Sequence, residues 1–209
     1  MIEFKAKKEP RQKRSKATYE AILDASAQLL EEMGYQQLTT NHIAERAGVS
    51  VGSLYEYFDN KEVIVHLMLH REIDSILEEA GDFSDIEHND LLSLIQKWLW
   101  KIYNILLKRQ RLYYVIFNEV PHEVKAEPVN KIQDQQILIM KTTFSLLGDQ
   151  VTIEQQELNE NIFLMVSIID SVLTRLVLHP WQEADPEKVL NILARRIYRW
   201  AEDDRMIFS

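Results

Sequence analysis

Apolar residues recur at intervals of three and four positions along most of the chain, which is the spacing of one face of an α-helix. No stretch alternates convincingly with the two-residue period of a β-strand. The pattern therefore predicts an all-α protein of about nine helices. The clearest stripes are Ile22, Ala25, Leu29 and Met33; Leu91, Ile95, Trp98, Ile102 and Leu106; and Val189, Leu193, Ile197 and Trp200.

The segment from Thr39 to Glu62 has the features of a helix-turn-helix. Thr40 precedes the first apolar position and can cap a short helix. Gly48 supplies the left-handed backbone that a tight turn needs, and Ser50 can cap a second helix. Leu54 is expected to point back onto the first helix. A second helix that leaves small and hydroxyl-bearing side chains outward suits the major groove of DNA.

Further residues make this segment more specific. The stretch "LYEYFDNKE" adds Tyr55 and Tyr57, which we expect on the outward face, and then Asn60 as a cap and Lys61 at the start of the next helix. With these residues, the region from about residue 17 to about residue 68 resembles the tetracycline-repressor (TetR) family of bacterial transcription regulators. The resemblance implies an N-terminal three-helix DNA-binding domain and a C-terminal helical domain for ligand binding and dimerisation.

The charge distribution fits this division of the chain. We expect a basic flexible arm at residues 1–14, a helix-turn-helix domain at 15–60, and a helical regulatory and dimerisation domain at 61–209. Residues 1–61 carry nine Lys/Arg and nine Asp/Glu, whereas the remainder carries 15 and 24, so the net charge of −9 lies away from the helix-turn-helix. The arm is either a solvated tail or a segment that attracts phosphate or reaches a minor groove.

The resemblance also implies DNA contacts at matching positions. Backbone contacts would come from hydroxyl and amine groups, at Thr40, Tyr55, Tyr57 and Lys61. The positions from which bases are read carry Asn41, Val51, Gly52 and Ser53. Because Val51 and Gly52 offer no side-chain hydrogen bond, we expect little direct readout and more dependence on DNA shape.

The end of the chain carries the predicted dimer interface. The stretch from Ile162 to Leu178 is apolar nearly all round, which indicates burial on several faces. Asp185 and Pro186 then start a last helix. The resemblance implies that these two helices form a homodimer, whose paired heads would read a near-palindromic operator in double-stranded DNA. Earlier in the chain, the stretch "PHEVKAEP" between two prolines is predicted to be a loop.

Effector binding is less clearly marked. Candidate contacts for a small apolar or amphipathic effector are Trp98, Tyr103, Tyr113, Phe117, Met140, Phe163 and Asp170. Each of the aromatic residues and Met140, taken singly, is more often an ordinary core residue than a ligand contact. Asp170 stands in an apolar helix, where an unpaired carboxylate is costly. It is expected either to face a pocket or to form a hydrogen bond across the dimer interface.

Other classes of site are disfavoured. A spacing of four residues separates His66, His70 and Asp74 and places them on one face of a helix, where such side chains can hold a metal. Because no fourth ligand is indicated, we interpret them as exposed helix residues and predict no metal or cofactor. Cysteine is absent, and the five glycines form no phosphate-binding loop. No catalytic motif is present, so we do not expect an enzyme. The charged N-terminus and the lack of an uninterrupted apolar run of spanning length predict a cytoplasmic protein without a membrane segment.

These features together predict a site-specific DNA-binding transcriptional regulator. A TetR-type repressor released from its operator by the effector is the leading hypothesis, although an activator would share the same head. The alternative is a TetR-like DNA-binding protein that acts in chromosome organisation or cell division without an effector. Responsiveness to ligands distinguishes the two.

Overall fold

The computed structural model describes residues 4–8, 10–81, 91–146 and 155–206, and this part of the chain is helical without a strand. The all-α prediction is therefore confirmed. The described helices are α1 (Lys13–Gln37), α2 (Thr40–Ala47), α3 (Val51–Tyr55), α4 (Lys61–Gly81), α5 (Leu91–Lys108), α6 (Gln110–Asn118), α7 (His122–Leu146), α8 (Gln155–Leu178) and α9 (Pro186–Met206).

The chain forms two compact units. The first comprises Met1–Ser75 and Arg111–Lys131, and the second comprises Ile76–Gln110 and Ile132–Ser209. The chain passes from one unit to the other within α4, at the start of α6 and within α7. The domain boundary at residue 60 stays a prediction.

The first unit contains a small core shared by α1, α2 and α3, which we call the head. Its apolar stripe is buried as the periodicity predicts, and Ile22, Leu30, Ile43, Leu54 and Phe58 are inaccessible to solvent. The helix α1 is interrupted at Gly34, whose φ of 79° is favourable only for glycine. The backbone N–H of Tyr35 then donates to a carboxylate oxygen of Glu119 at 3.0 Å, which satisfies a donor that the interruption exposes.

Side-chain caps set the limits of α2, α3 and α4. The prediction that Thr40 caps α2 is wrong by one residue, because the hydroxyl of Thr39 accepts from the N–H of His42. The left-handed conformation of Gly48, with φ 68°, is confirmed. The cap at Ser50 is confirmed too, since its hydroxyl accepts from the N–H of Ser53. Asn60 caps α4 by accepting from the N–H of Val63.

The predicted loop between the two prolines is wrong, because α7 begins at His122 and continues through Pro128. Proline has no N–H, so the carbonyl of Val124, four residues earlier, loses its helical donor. The ring Nδ1 of His66 lies 2.8 Å from that carbonyl and replaces the missing donor. A contact distant in sequence therefore lets the helix continue past Pro128.

In the second unit, α5 packs against α8 and α9. Buried residues on these helices include Leu99, Ile102, Ile162, Met165 and Ile197. The last helix begins as predicted, with the carboxylate of Asp185 accepting from the N–H of Glu187 at 3.0 Å.

Burial of α8 on several faces is wrong for the single chain. Phe163 is 65% exposed and Ile168 is 39% exposed, and Leu164 is also open to solvent. One stretch of the described helices, Leu158–Leu178, is long and apolar enough to cross a membrane by length and composition alone, with a mean hydropathy of 1.8. This stretch contains three charged residues, Glu160, Asp170 and Arg175.

Candidate nucleic-acid interface

The second helix of the helix-turn-helix, α3, is held at one end and open at the other. Leu54 is fully buried and anchors the helix in the head. Val51 and Gly52, in the first turn, are exposed. Ser50 caps this turn, so the exposed surface begins where α3 is fixed by its own hydrogen bond. The arrangement presents a short rigid helix end with small side chains, which is the shape that a major groove admits.

The predicted base-reading positions lie at the same end of the helix-turn-helix. Asn41, Val51 and Gly52 are exposed, whereas Ser53 is half-buried. The hydroxyl of Ser53 is 2.9 Å from that of Ser50, so part of its hydrogen-bonding capacity is used within the turn. The few side-chain donors and acceptors that remain are consistent with limited direct readout.

Two predicted phosphate contacts form a pair. The hydroxyls of Thr40 and Tyr55 are 3.0 Å apart, and Thr40 is the first residue of α2. Because Thr39 already caps α2, the Thr40 hydroxyl is not needed for that purpose. If an anion replaces the hydrogen bond between them, each hydroxyl can donate to it, and the dipole of α2 favours negative charge there.

Tyr57 does not lie on the outward face, which corrects that part of the sequence interpretation. It is only 6% exposed. Its ring is 6.1 Å from that of Tyr19 and 6.2 Å from that of Phe58, measured between centroids. The backbone turns after α3 and brings this ring into the core of the head, and no local spacing signals that turn. The phosphate contact at Tyr57 stays a prediction.

Lys61 is engaged within the protein. Its ammonium donates to the carbonyls of Tyr35 and Leu38 at 3.1 and 3.2 Å, and it lies 4.3 Å from the centre of the Tyr35 ring. The hydroxyl of Tyr35 in turn donates to Glu62. Burial, with the nearby Glu62 carboxylate, raises the pKa of Tyr35. Lys61 therefore satisfies carbonyls where α1 ends, and its contact with phosphate stays a prediction.

Part of the predicted flexible arm lies against the head. The backbone N–H of Lys7 donates to the carbonyl of Tyr57 at 2.8 Å, and its ammonium pairs with Asp59 at 2.7 Å. Phe4 stacks on His66 with 4.6 Å between ring centroids. These contacts anchor residues 4–8 beside the end of α3. A basic run in a sequence does not indicate which of its lysines finds a fixed partner.

Two arginines of the first unit form ion pairs that no local pattern indicated. Arg46 binds both carboxylate oxygens of Glu32, at 2.8 and 2.7 Å, and this hydrogen bonding lowers the pKa of Glu32. Arg71 of α4 pairs with Glu20 and Asp24 of α1, each at 2.7 Å. The Arg46 side chain is thus held against α1 by Glu32.

The predicted effector contacts are divided between the two units of the chain. Tyr113 and Phe117 belong to the first unit, and Phe117 is exposed. The other candidates are in the second unit, where Phe163 is exposed, Tyr103 is buried, and Trp98, Met140 and Asp170 are half-buried.

Asp170 has a partner within the second unit. Its carboxylate accepts from the side-chain amide of Gln136 at 2.8 Å. Burial raises the pKa of Asp170 above its ordinary value, and hydrogen bonds from Gln136 and Gln133 partly oppose that rise. A contact between Asp170 and an effector stays a prediction.

An open groove lies between α8 and α9, with a volume of about 600 Å³. We call it the α8–α9 groove. It is lined by six apolar residues and two arginines, Ile168, Val172, Val189, Ile192, Leu193, Trp200, Arg196 and Arg199. Ile192 is 51% exposed. Exposed apolar surface of this kind marks interaction sites more often than free surface.

Comparison with protein families identifies the N-terminal region. Residues 22–68 match the family described as bacterial regulatory proteins, tetR family. An uncharacterized HTH-type transcriptional regulator of Bacillus subtilis, YvkB, is 41% identical over 76 residues, which cover 34% of this chain and 40% of the relative. The fatty acid metabolism regulator protein of the same organism is 38% identical over 72 residues, 34% of this chain and 36% of the relative. The chain thus spans well under half the length of these relatives.

Solved structures extend the likeness to the whole fold. The fatty acid degradation regulator FadR of Bacillus halodurans aligns with a TM-score of 0.64 at 20% identity, over 86% of this chain and 94% of that one. A tetR-family transcriptional regulator of Streptomyces coelicolor aligns with a TM-score of 0.72 at 11% identity, over 93% of this chain and 84% of that one. At these identities the likeness shows the fold.

Proposed function

Because this chain belongs to the TetR family of bacterial transcriptional regulators, we propose that it is a repressor released from a near-palindromic operator by a small apolar or amphipathic effector. Its relatives and structural neighbours are regulators and not enzymes. The observation that carries the proposal is the exposed first turn of α3, bordered by the paired hydroxyls of Thr40 and Tyr55.

The head is proposed to dock with α3 in a major groove. The hydroxyls of Thr40 and Tyr55 would hold one phosphate, with the N-terminus of α2 behind them. Val51 can contact a thymine methyl group, and Gly52 lets the backbone approach the bases closely. Asn41 offers the only amide among the proposed base-reading residues. This composition favours an operator recognised in part through its shape and deformability.

The second unit is proposed to form the homodimer. The α8–α9 groove exposes large apolar side chains, and a second copy of the same groove related by a two-fold axis would cover them. Such a dimer would also account for an apolar helix whose side chains are exposed in the single chain. Two heads on one dimer would contact two half-sites about one helical turn apart, which explains the expected near-palindrome.

The effector is proposed to bind in the second unit, near the half-buried Trp98, Met140 and Asp170. The aromatic and acidic composition suits an amphipathic ligand. The helix α4, from Lys61 to Gly81, leads from the head into the second unit. Release would follow if the ligand binds more tightly to an arrangement of α4 in which the distance between the two heads of the dimer no longer matches the operator.

Selection of bound fragments from the source genome tests the proposal. The full chain is incubated with fragmented DNA at about 150 mM salt, where nonspecific phosphate attraction is reduced. We expect enrichment of a near-palindrome, and the genes beside it would indicate the effector class. Retention of many unrelated fragments that are lost together as salt rises would instead support chromosome organisation.

A second experiment tests release. Two of the regulators similar to this chain are named for fatty acid metabolism or degradation, so a long-chain fatty acid is a reasonable first probe. An aromatic quaternary ammonium compound is a contrasting probe that would use the acidic Asp170. We expect one class to lower operator affinity. If neither probe changes it, the effector classes proposed for this chain are wrong while operator binding stands.

A further inference from the structure

Two histidines of α4 and a carboxylate of α7 converge within the first unit. The nearest ligand atoms of His66, His70 and Glu127 all lie within 4.8 Å of one another. The Nε2 atom of His66 is 3.4 Å from one carboxylate oxygen of Glu127, and the Nε2 atom of His70 is 3.7 Å from the other. Neither the helix-turn-helix nor the proposed effector region uses these groups.

The orientation of the His66 ring is set by Pro128. The Nδ1 atom of His66 donates to the Val124 carbonyl, which the proline leaves without a helical partner. In the neutral ring, the Nε2 atom therefore carries a lone pair rather than a hydrogen. That lone pair faces a carboxylate oxygen at 3.4 Å, so two acceptors oppose each other unless a cation lies between them. His66 is only 2% exposed, so water solvates its ring poorly, whereas the Glu127 side chain is open to solvent.

The distances suit a metal ion. We propose that His66 Nε2, His70 Nε2 and the Glu127 carboxylate bind a divalent transition-metal ion, with Zn²⁺ as the best match. A tetrahedral Zn²⁺ site with ordinary bond lengths places neighbouring ligand atoms about 3.3–3.5 Å apart. The 3.4 Å from His66 and the 3.7 Å from His70 lead to different oxygens of Glu127, and the three ligand atoms lie within 4.8 Å of one another, so a small rotation of the exposed carboxylate is needed to bind one ion. A carbonyl that accepts from the other ring nitrogen of a ligating histidine is a recurrent feature of such sites.

The neighbouring side chains leave the three proposed ligands free to bind an ion, and the Glu127 side of the site is open to solvent. Asp74 lies one helical turn after His70, but its carboxylate forms an ion pair with the ammonium of Lys131. Asp74 is therefore not a ligand of the proposed site, and the Lys131 ammonium is neutralised by this partner. Phe4 stacks on the face of His66 and shields it. Glu127 is 76% exposed in its side chain, so an ion can enter from solvent and keep a water as its fourth ligand.

A bound ion would connect α4 to α7 inside the first unit. Glu127 lies 57 positions from His70 and 61 from His66 along the chain, so the carboxylate meets the two histidines only in the folded chain. An ion that binds only the folded state stabilises it by mass action. The proposal is independent of operator and effector, because it concerns binding of an ion to the chain alone.

The experiment uses untagged, metal-stripped full chain without DNA. Isothermal titration calorimetry with Zn²⁺ measures stoichiometry and affinity, and Co²⁺ gives the visible absorption that distinguishes tetrahedral from octahedral coordination. We expect one Zn²⁺ per chain and a tetrahedral Co²⁺ spectrum. Glu127→Gln and His70→Ala should each weaken Zn²⁺ binding by at least about tenfold. Both residues have exposed surface, so neither variant is expected to prevent folding, which circular dichroism checks.

His122→Ala is the matched control, because His122 is an exposed histidine in the same unit and lies at the start of α7. It should bind Zn²⁺ like the unmodified chain, and Zn²⁺ should raise the melting temperature of both while leaving that of Glu127→Gln unchanged. If Glu127→Gln and His70→Ala bind Zn²⁺ as tightly as the unmodified chain does, the ion binds at adventitious surface sites and the proposal is overturned. Absence of Zn²⁺ binding by the unmodified chain would also overturn it.

Discussion

The head and the α8–α9 groove bury apolar residues to different extents. In the head, a fully buried core of Ile22, Ile43 and Leu54 stands against an exposed surface of small, hydroxyl-bearing and basic side chains. In the groove, Ile168 and Ile192 remain exposed although their helices also contribute to a core. The difference indicates that the core of the head is complete in a single chain, whereas the groove is the surface that we propose a second copy covers.

The largest effect is expected from damage to the core of the head. Leu54→Ala removes a fully buried side chain and leaves a cavity, so it should lower the free energy of unfolding by about 2–5 kcal/mol. Urea unfolding of the full chain measures the loss. Val51→Ala, on the exposed turn of the same helix, is the control and should change stability by no more than about 0.5 kcal/mol. Similar losses in the two variants would contradict a self-contained head.

The next effect concerns the groove. Ile192→Glu places a charge in the proposed dimer interface and should raise the dimer dissociation constant at least about 30-fold, corresponding to about 2 kcal/mol. Analytical ultracentrifugation over a concentration series measures this constant. Leu107→Glu changes an exposed residue of α5 outside the groove and should leave it unaltered. An unchanged dimer in Ile192→Glu would place the interface elsewhere.

A smaller effect is expected on the outer surface of the head. Tyr55→Phe removes the hydroxyl that pairs with Thr40 and is proposed to meet phosphate, so operator affinity should fall about fivefold, or about 1 kcal/mol. Fluorescence anisotropy with the selected operator measures it. Tyr114→Phe removes an exposed tyrosine hydroxyl from α6, outside the head, and should have no effect. Equal affinity of Tyr55→Phe and the unmodified chain would remove this hydroxyl from the docking proposal.

The smallest effect concerns the half-buried carboxylate of the second unit. Burial raises the pKa of Asp170, so the folded chain holds this proton more tightly than the unfolded chain. The associated stability is present below the ordinary carboxyl pKa of 3.8 and is lost as pH rises through the raised value. Asp170→Asn keeps an acceptor for Gln136 and removes the charge, so its melting temperature at pH 7 should exceed that of the unmodified chain.

The difference in melting temperature between Asp170→Asn and the unmodified chain should become smaller as the pH falls toward 3.8. Differential scanning calorimetry at both pH values, at one protein concentration, measures it. Asp134→Asn, at an exposed position of α7, is the control and should show little change at either pH. A variant that is less stable than the unmodified chain at pH 7 would show that the charge of Asp170 has a partner beyond the two glutamines.

The sequence by itself determined the helical fold, the helix-turn-helix and most of its caps. These follow from local rules, since a 3.6-residue apolar period, a glycine with positive φ at position 48 and hydroxyl or amide caps at Ser50 and Asn60 act within a few residues. The same rules placed the cap of α2 one residue late, because adjacent threonines at 39 and 40 are equivalent in local pattern.

Only the tertiary structure decided which side chains meet across the chain. It turned Tyr57 into the core, directed Lys61 to the carbonyls of α1, and brought Glu127 rather than Asp74 to the two histidines of α4. It also continued α7 through Pro128, because His66 supplies the missing donor from 58 residues away. Such contacts depend on the positions of whole helices, and the free energy that fixes those positions comes from the shared core rather than from neighbouring residues in the sequence.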